Sequence, residues 1–573
     1  MSPLFSVGRV TCHSLQTSFF FTLFICFAIQ SALAVNVTQC LTEIKSGEWG
    51  TVGGTDNKGN PVSNISKATG ITYDLCKRAC GSGPESFQWS GFSQQFTTWL
   101  LPNLTLISQL PYGTKTRLGN FTAVVLALGS PMLAAYSLAL TLLNGRWVTQ
   151  KDALLNSLVV LHHNDEWWKE LADALDYTQA WSTAAAASVA WIIIVYILSI
   201  IEAFDNLAEH GDPTFKISNV VVTWFGEGSR FLWMWLLPIV VGWLQLSPKC
   251  DWIQLCKALE KTHLLAFVAT PTSIAKASTI SEERAFMINV HPDASICHQH
   301  RSLACDEELM TPIFNYTRLL GWVQVVEDVA AVFQAAAQKA HFHIPVDPEV
   351  KWKGQGGQDI HPDNRTRTID QVVTYCQSPT YLCKSRWGPD VYKRLVVASF
   401  VTLLLQWGTM GAAVLGLYFT PTVGLGCRSG SYLIYGVAST FIWVILLASS
   451  ALSHYTHPHS HRSQNPPFSS RTSTIARLLS IILRRLGKVL ATCNAVWLMV
   501  ICLFQFSNFF CRCYCASFVW RLGSRAFVVI QITPTDLALM KAGWTAAVTL
   551  ASSCSLLFVC FVNLFVDNEH RAS

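Results

Sequence analysis

The chain has 573 residues, of which 51% are apolar and only 13% charged, with a mean hydropathy of +0.33. A soluble globular domain carries about a quarter charged residues, so this composition excludes an ordinary soluble protein. The formal charge of +6 is spread thinly along the sequence, which argues against the concentrated basic face of a nucleic-acid binder.

Residues 1–34 read as a cleavable secretory signal. A weakly basic leader (Arg9, His13) precedes the apolar run 18–29, and Ala32-Leu33-Ala34 supplies the small-x-small cleavage pattern. The segment 35–121 is then expected outside the cytosol. Four of its six asparagines (Asn36, Asn64, Asn103 and Asn120) begin Asn-x-Ser/Thr acceptors, against two of thirteen elsewhere, Asn315 and Asn364. That enrichment marks the segment as luminal. Asn36, Asn64 and Asn103 are the glycosylation candidates, Asn120 lying too near the membrane. Cys40, Cys76 and Cys80 fall in the same segment, and an oxidising compartment predicts disulfides. Three cysteines cannot all pair among themselves. Cys427, expected on the same side, is a candidate partner, and connectivity stays open. The stretch 96–110 is apolar but short and interrupted by Pro102 and Asn103, so an amphipathic or re-entrant segment is expected. If it spanned instead, everything after it would be reversed.

A spanning helix needs about 20 apolar residues, because unpaired backbone groups are not tolerated in hydrocarbon. Residues 122–143, 183–201, 395–419, 432–453, 489–508 and 544–566 qualify, and 231–246 is short but dense. With seven spans and the N-terminus outside, short cytosolic segments hold ten Lys/Arg and short outer loops seven, the tightest cluster (477–488) abutting a span. The expected fold class is all-α. It is a multi-pass transmembrane helical bundle of seven spans, eight possible, with a small disulfide-containing luminal segment and a 148-residue, mainly helical loop domain. The expected order is signal 1–34, luminal segment 35–121, first membrane unit 122–246, loop domain 247–394, second membrane unit 395–566 and tail 567–573.

Between the spans, 144–182 has helical apolar spacing around the polar run 162–166 and the pair Trp167-Trp168, which suits the membrane interface. The loop 247–394 contains a helical pattern at 319–340 and six cysteines, Cys250, Cys256, Cys297, Cys305, Cys376 and Cys383. Cys297-His298-Gln299-His300 with Cys305 lacks the paired Cys-x-x-Cys spacing of structural zinc sites. His454, His457, His459 and His461 precede a Ser/Pro/Arg-rich connector. Residues 475–490 form a basic amphipathic pattern expected to lie in the plane of an anionic cytosolic leaflet. Cys511, Cys513 and Cys515 would enter disulfides if outside and would be palmitoylation candidates if inside.

The seven runs contain no Asp, Glu, His, Lys or Arg, the groups that usually carry ions or protons through a helical bundle. Gln406, Asn494, Gln505 and Asn563 suit interhelical hydrogen bonds, and Gly408, Gly411, Ala412 and Ala413 suit close helix packing. Phosphate-binding, dinucleotide and zinc-protease motifs are missing. Gly426-Cys427-Arg428-Ser429-Gly430 superficially resembles a serine-protease turn but has no intramembrane His to serve as base. No enzyme activity, cofactor or metal is expected.

Six stretches, 68–80 (ATGITYDLCKRAC), 92–102, 237–251, 405–413 (LQWGTMGAA), 421–433 (PTVGLGCRSGSYL) and 502–510, taken together make the chain similar to a group of multi-pass membrane proteins of filamentous fungi. The resemblance covers nearly the whole length. It implies membrane residence and a fungal source, and transfers no activity or site residue. The expectation is a plasma-membrane or endomembrane protein that is a non-catalytic sensor, receptor-like protein or scaffold. Its partners would be the lipid bilayer and cytosolic proteins bound through 247–394, with no nucleic acid. The alternative is a facilitative path for an uncharged solute lined by Trp233, Trp235, Gln406 and Asn494.

Overall fold

The computed structural model describes residues 35–85, 96–110, 117–140, 183–209, 231–250, 391–454 and 470–570, with scattered positions elsewhere. The chain is mostly helical and is a membrane protein: among the described residues five helices are long and apolar enough to cross a bilayer, or up to six if a bent pair counts as one span.

The first described unit is a small cap. Asn36 accepts a hydrogen bond from the Gln39 amide (3.0 Å) and starts α1 (Val37–Ser46), which Gly47 ends in the left-handed region at φ 90°. Strand β1 (Gly54–Thr55) pairs antiparallel with β2 (Gly70–Thr72), and α2 (Tyr73–Cys80) follows directly. Ile44, Ile65, Ile71, Leu75 and the three cysteines form the cap's own buried core.

Next come short membrane-depth pieces. A π-helical turn, Phe96–Leu100, leads into α3 (Leu101–Ser108), whose Leu106 and Ile107 are buried in the main bundle core with Trp99. Helix α4 (Arg117–Gly129) and the helix Pro131–Leu140 (α5) meet at 101°. Proline at 131 has no N–H to donate, and its ring clashes with the preceding turn. The run 122–143 is therefore two half-helices, not one straight span. Helix α6 (Thr183–Glu209) contains the expected span at 183–201. Helix α7 (Leu236–Cys250) follows a 3₁₀ turn at Phe231–Trp233, and the apolar helix 231–245 falls short of spanning length. Among the described residues, the seven expected runs are thus five spanning helices, a bent pair and a short helix.

The second unit is regular. Helices α8 (Val391–Tyr418), α9 (Cys427–His454) and α10 (Ser470–Phe506) precede strand β3 (Phe527–Val529) and α11 (Pro534–His570). Pro534 opens α11, where the Asp536 carboxylate accepts from the Thr533 amide (3.0 Å) and hydroxyl. The basic stretch 475–490, expected as a separate helix in the membrane plane, is not separate. It is the first half of α10, continuous with the span, and Ser480 and Ser449 of α9 exchange hydroxyl-to-carbonyl bonds at 2.7 and 2.8 Å. Closely packed small residues let these helices approach: a Cβ on Gly408 would stand 2.4 Å from the Cys554 side chain.

Candidate functional site: a disulfide-bonded cap and a buried polar node

The cap is joined to the bundle by backbone, side-chain and covalent links. β2 sits between β1 and β3, pairing antiparallel through Gly70 with Val529, Ile71 with Val528 and Thr72 with Phe527. In chain order β3 lies between α10 and α11, so the cap's central strand is bonded to a connection between two long helices. Cys76 is bonded to Cys513, Cys40 to Cys80, and Cys427 to Cys515. Lys45 donates to the Gln531 side chain (3.0 Å), and the Asn57 amide donates to Gln531 O (2.9 Å) and to the Asp536 carboxylate. Each of these reaches the entry to α11. The strand pairing also needs small residues: a Cβ on Gly70 would stand 2.7 Å from Thr55 Oγ1.

All four candidate cysteines, Cys40, Cys76, Cys80 and Cys427, are thus in disulfides, but Cys427 does not serve the N-terminal segment. The third partner there is Cys513, and Cys427 takes Cys515. The sulfurs of Cys76, Cys80 and Cys513 lie within 4.8 Å of one another. They belong to two adjacent disulfides, which leaves no thiolate to ligate a metal. Cys511 remains a thiol. Burial pushes it up, and the Arg428 guanidinium, which donates to its Sγ at 3.1 Å, pulls less strongly the other way.

Of the asparagine acceptors, Asn36 and Asn64 are exposed on the cap. The Asn64 side chain accepts from the Ser66 amide and hydroxyl of its own acceptor motif, at 3.0 and 2.8 Å. Asn103 is different. It is buried, with its amide donating to Trp99 O at 3.0 Å inside the bundle. Ser429 of the protease-like turn caps the start of α9: its hydroxyl accepts from the Gly426 amide at 2.8 Å. The histidine tract beyond His454 and the Cys297–Cys305 cluster lie outside the described residues, as does most of 247–394.

The second feature is the node around the break between α4 and α5. A bend frees backbone groups that must find partners where water is scarce. Leu128 O accepts from the Tyr435 hydroxyl, and Gly129 O accepts from Asn494 Nδ2 at 2.8 Å. The Met132 amide donates to Ser439 Oγ at 3.2 Å. Ser439 in turn donates to Gln406 Oε1 (2.9 Å), and Gln406 Nε2 donates to Gly436 O and Thr440 Oγ1 at 2.8 and 2.9 Å. Asn494 Nδ2 also donates to Tyr435 O at 3.2 Å. One buried network therefore ties α8, α9 and α10 to both half-helices. Gly129 is the contact point: a Cβ there would stand 1.8 Å from Ala491 O.

Gln406 lies twelve residues from Tyr418 and Asn494 eleven from Gln505, about 17–18 Å from the cap-side ends at 1.5 Å per residue. In a hydrocarbon core about 30 Å thick the node is near the midplane. Trp233 and Trp235 are buried, and Trp233 packs edge-on to Tyr196 at 6.0 Å. Gln245 donates to Asn563 Oδ1 at 3.0 Å.

Sequence reasoning missed Tyr435 and Ser439, and it paired Cys513 and Cys515 with no named partner, only on the condition that their run lay outside. The Gly129-Ser130-Pro131 triplet was the available signal for the break. No known protein family, no curated protein and no solved structure matches the chain.

Proposed function

We propose that the chain is a non-catalytic, receptor-like or scaffold protein of the plasma membrane or an endomembrane, with its disulfide-bonded cap on the luminal or outer side. The observation that carries this reading is the seating of the cap. The Cys76–Cys513 bond and the pairing of β2 with β3 make the cap and the entry to α11 one mechanical piece. A ligand or partner that moves the cap then pulls on α11, which lies along α8 and reaches the far end of the bundle. Three disulfides fit an oxidising compartment, and Asn36 and Asn64 are the acceptors placed to carry glycans there.

If the bent pair and the short helix 231–245 are added as crossings, the chain has seven, and 247–394 lies in the cytosol as a platform for protein partners. The similarity to filamentous-fungal membrane proteins belongs to this proposal and brings no activity with it. A proximity-labelling enzyme fused to the full chain is expected to mark a set of neighbours that shrinks when 247–394 is deleted. Unchanged neighbours would overturn the scaffold reading.

A second reading, a facilitative path for an uncharged solute, is favoured by one observation: a discontinuous helix at mid-depth is how many transporters build a solute site. Against it, Leu128 O, Gly129 O and the Met132 amide all have side-chain partners. Uptake of neutral solutes into vesicles containing the purified chain distinguishes the two readings, and the receptor-like reading expects none.

A further inference from the structure

The end of the bundle opposite the cap carries cations on two helices at matching depth. Arg394 of α8 lies twelve residues beyond Gln406, and Arg484 of α10 lies ten beyond Asn494. At 1.5 Å per residue they sit about 18 and 15 Å past the midplane node, at the edge of a core about 30 Å thick. Lys393, Arg485 and Lys488 stand beside them; Lys393 and Arg485 are exposed, Arg484 and Lys488 are half-buried, and Arg394 is buried. The sequence has no carboxylate between Asp390 and Asp536, so this whole stretch of the second membrane unit is cationic. Immediately toward the midplane both helices turn large apolar side chains outward: Val396 and Phe400 on α8, Leu486 and Val489 on α10.

Cations at the hydrocarbon edge above exposed apolar rows match one kind of ligand, a molecule with an anionic head and an apolar tail. We propose that this rim, centred on Arg484, Arg485 and Lys488 with Lys393 on the neighbouring side, binds anionic phospholipid headgroups. Because α10 runs straight through the rim, the cations hold the phosphate at a fixed depth, which an amphipathic helix lying loosely on the leaflet would not do. The inference rests on the membrane embedding of the bundle.

The test uses the purified full chain in mild detergent, titrated with phosphatidylserine or with phosphatidylcholine of the same acyl chains and read by native mass spectrometry. The wild type is expected to bind phosphatidylserine at least tenfold more tightly, with the preference weakening as salt rises. R484Q/R485Q/K488Q is expected to lose most of that preference, since each cation near a charged leaflet contributes about fivefold. R484K/R485K should keep it, and R521Q/R525Q at the cap end should leave it unchanged. A wild type without phosphatidylserine preference overturns the proposal whatever the variants do. So does displacement of the lipid by millimolar inorganic phosphate, or a triple glutamine variant that binds like wild type. Extraction of the chain from membranes by alkaline carbonate would instead defeat the embedding itself.

Discussion

The two halves of the bundle solve the same solvent problem differently. Helices α8 to α11 each satisfy their backbone internally over 28 to 37 residues, which is the standard requirement in hydrocarbon. The half built from α3, α4, α5 and α7 cannot: its pieces are short or broken, and the freed groups at the break are bonded by Tyr435, Ser439 and Asn494 of the regular half. The regular half is therefore a scaffold that stands alone, and the broken half is a dependent that folds against it. The cap repeats the relation outside the helices, since its sheet is completed by a strand from between α10 and α11.

This asymmetry predicts an order of effects. The largest is expected at the cap. Cys513→Ser should cost about 2–5 kcal/mol of cap stability and make 35–85 sensitive to protease. The regular half should melt as before, measured by thermal unfolding beside limited proteolysis. Gly129→Ala puts a side chain into the Ala491 carbonyl and is expected to cost about 1–3 kcal/mol or more, seen as lost monodispersity in size-exclusion chromatography. Asn494→Leu keeps the volume but leaves Gly129 O without its partner, costing about 1–3 kcal/mol. It should loosen the broken half first, as faster backbone amide hydrogen exchange around 117–140. The smallest effect is expected within the regular half: Ser480→Ala, which removes a hydroxyl shared with Ser449, should cost about 0.6 kcal/mol. A Ser480→Ala variant that melted earlier than Asn494→Leu would break the scaffold-and-dependent picture.

What was legible in the sequence follows the same division. The runs 183–201, 395–419, 432–453, 489–508 and 544–566 stand out because an uninterrupted apolar helix needs nothing beyond its own residues. The run 122–143 looks alike by hydropathy, since averaging passes over Gly129-Ser130-Pro131, and the side chains that stabilise the bend lie more than 300 residues away. The stretch 475–490 reads as lying in the membrane plane for a related reason. Its amphipathic pattern is real, but nothing between Ile475 and Phe506 terminates a helix, and Gly487 is packed against Leu446. Bending it there would break backbone bonds with no replacement. The disulfides were half legible. Compartment reasoning pointed to the right end of the bundle, while the choice between Cys427 and Cys513 depends on where β2 meets β3. Asn103 reads as an acceptor by motif alone, and burial against Trp99 removes it.

Whether cap and bundle are one covalent piece is read out by non-reducing peptide mapping of the purified full chain by mass spectrometry. The expected result is a peptide containing Cys76 linked to one containing Cys513, alongside Cys40–Cys80 and Cys427–Cys515. Recovery of Cys76 bonded to Cys40 or Cys80, or as a free thiol, would contradict it and leave the cap held to the entry of α11 by non-covalent contacts alone.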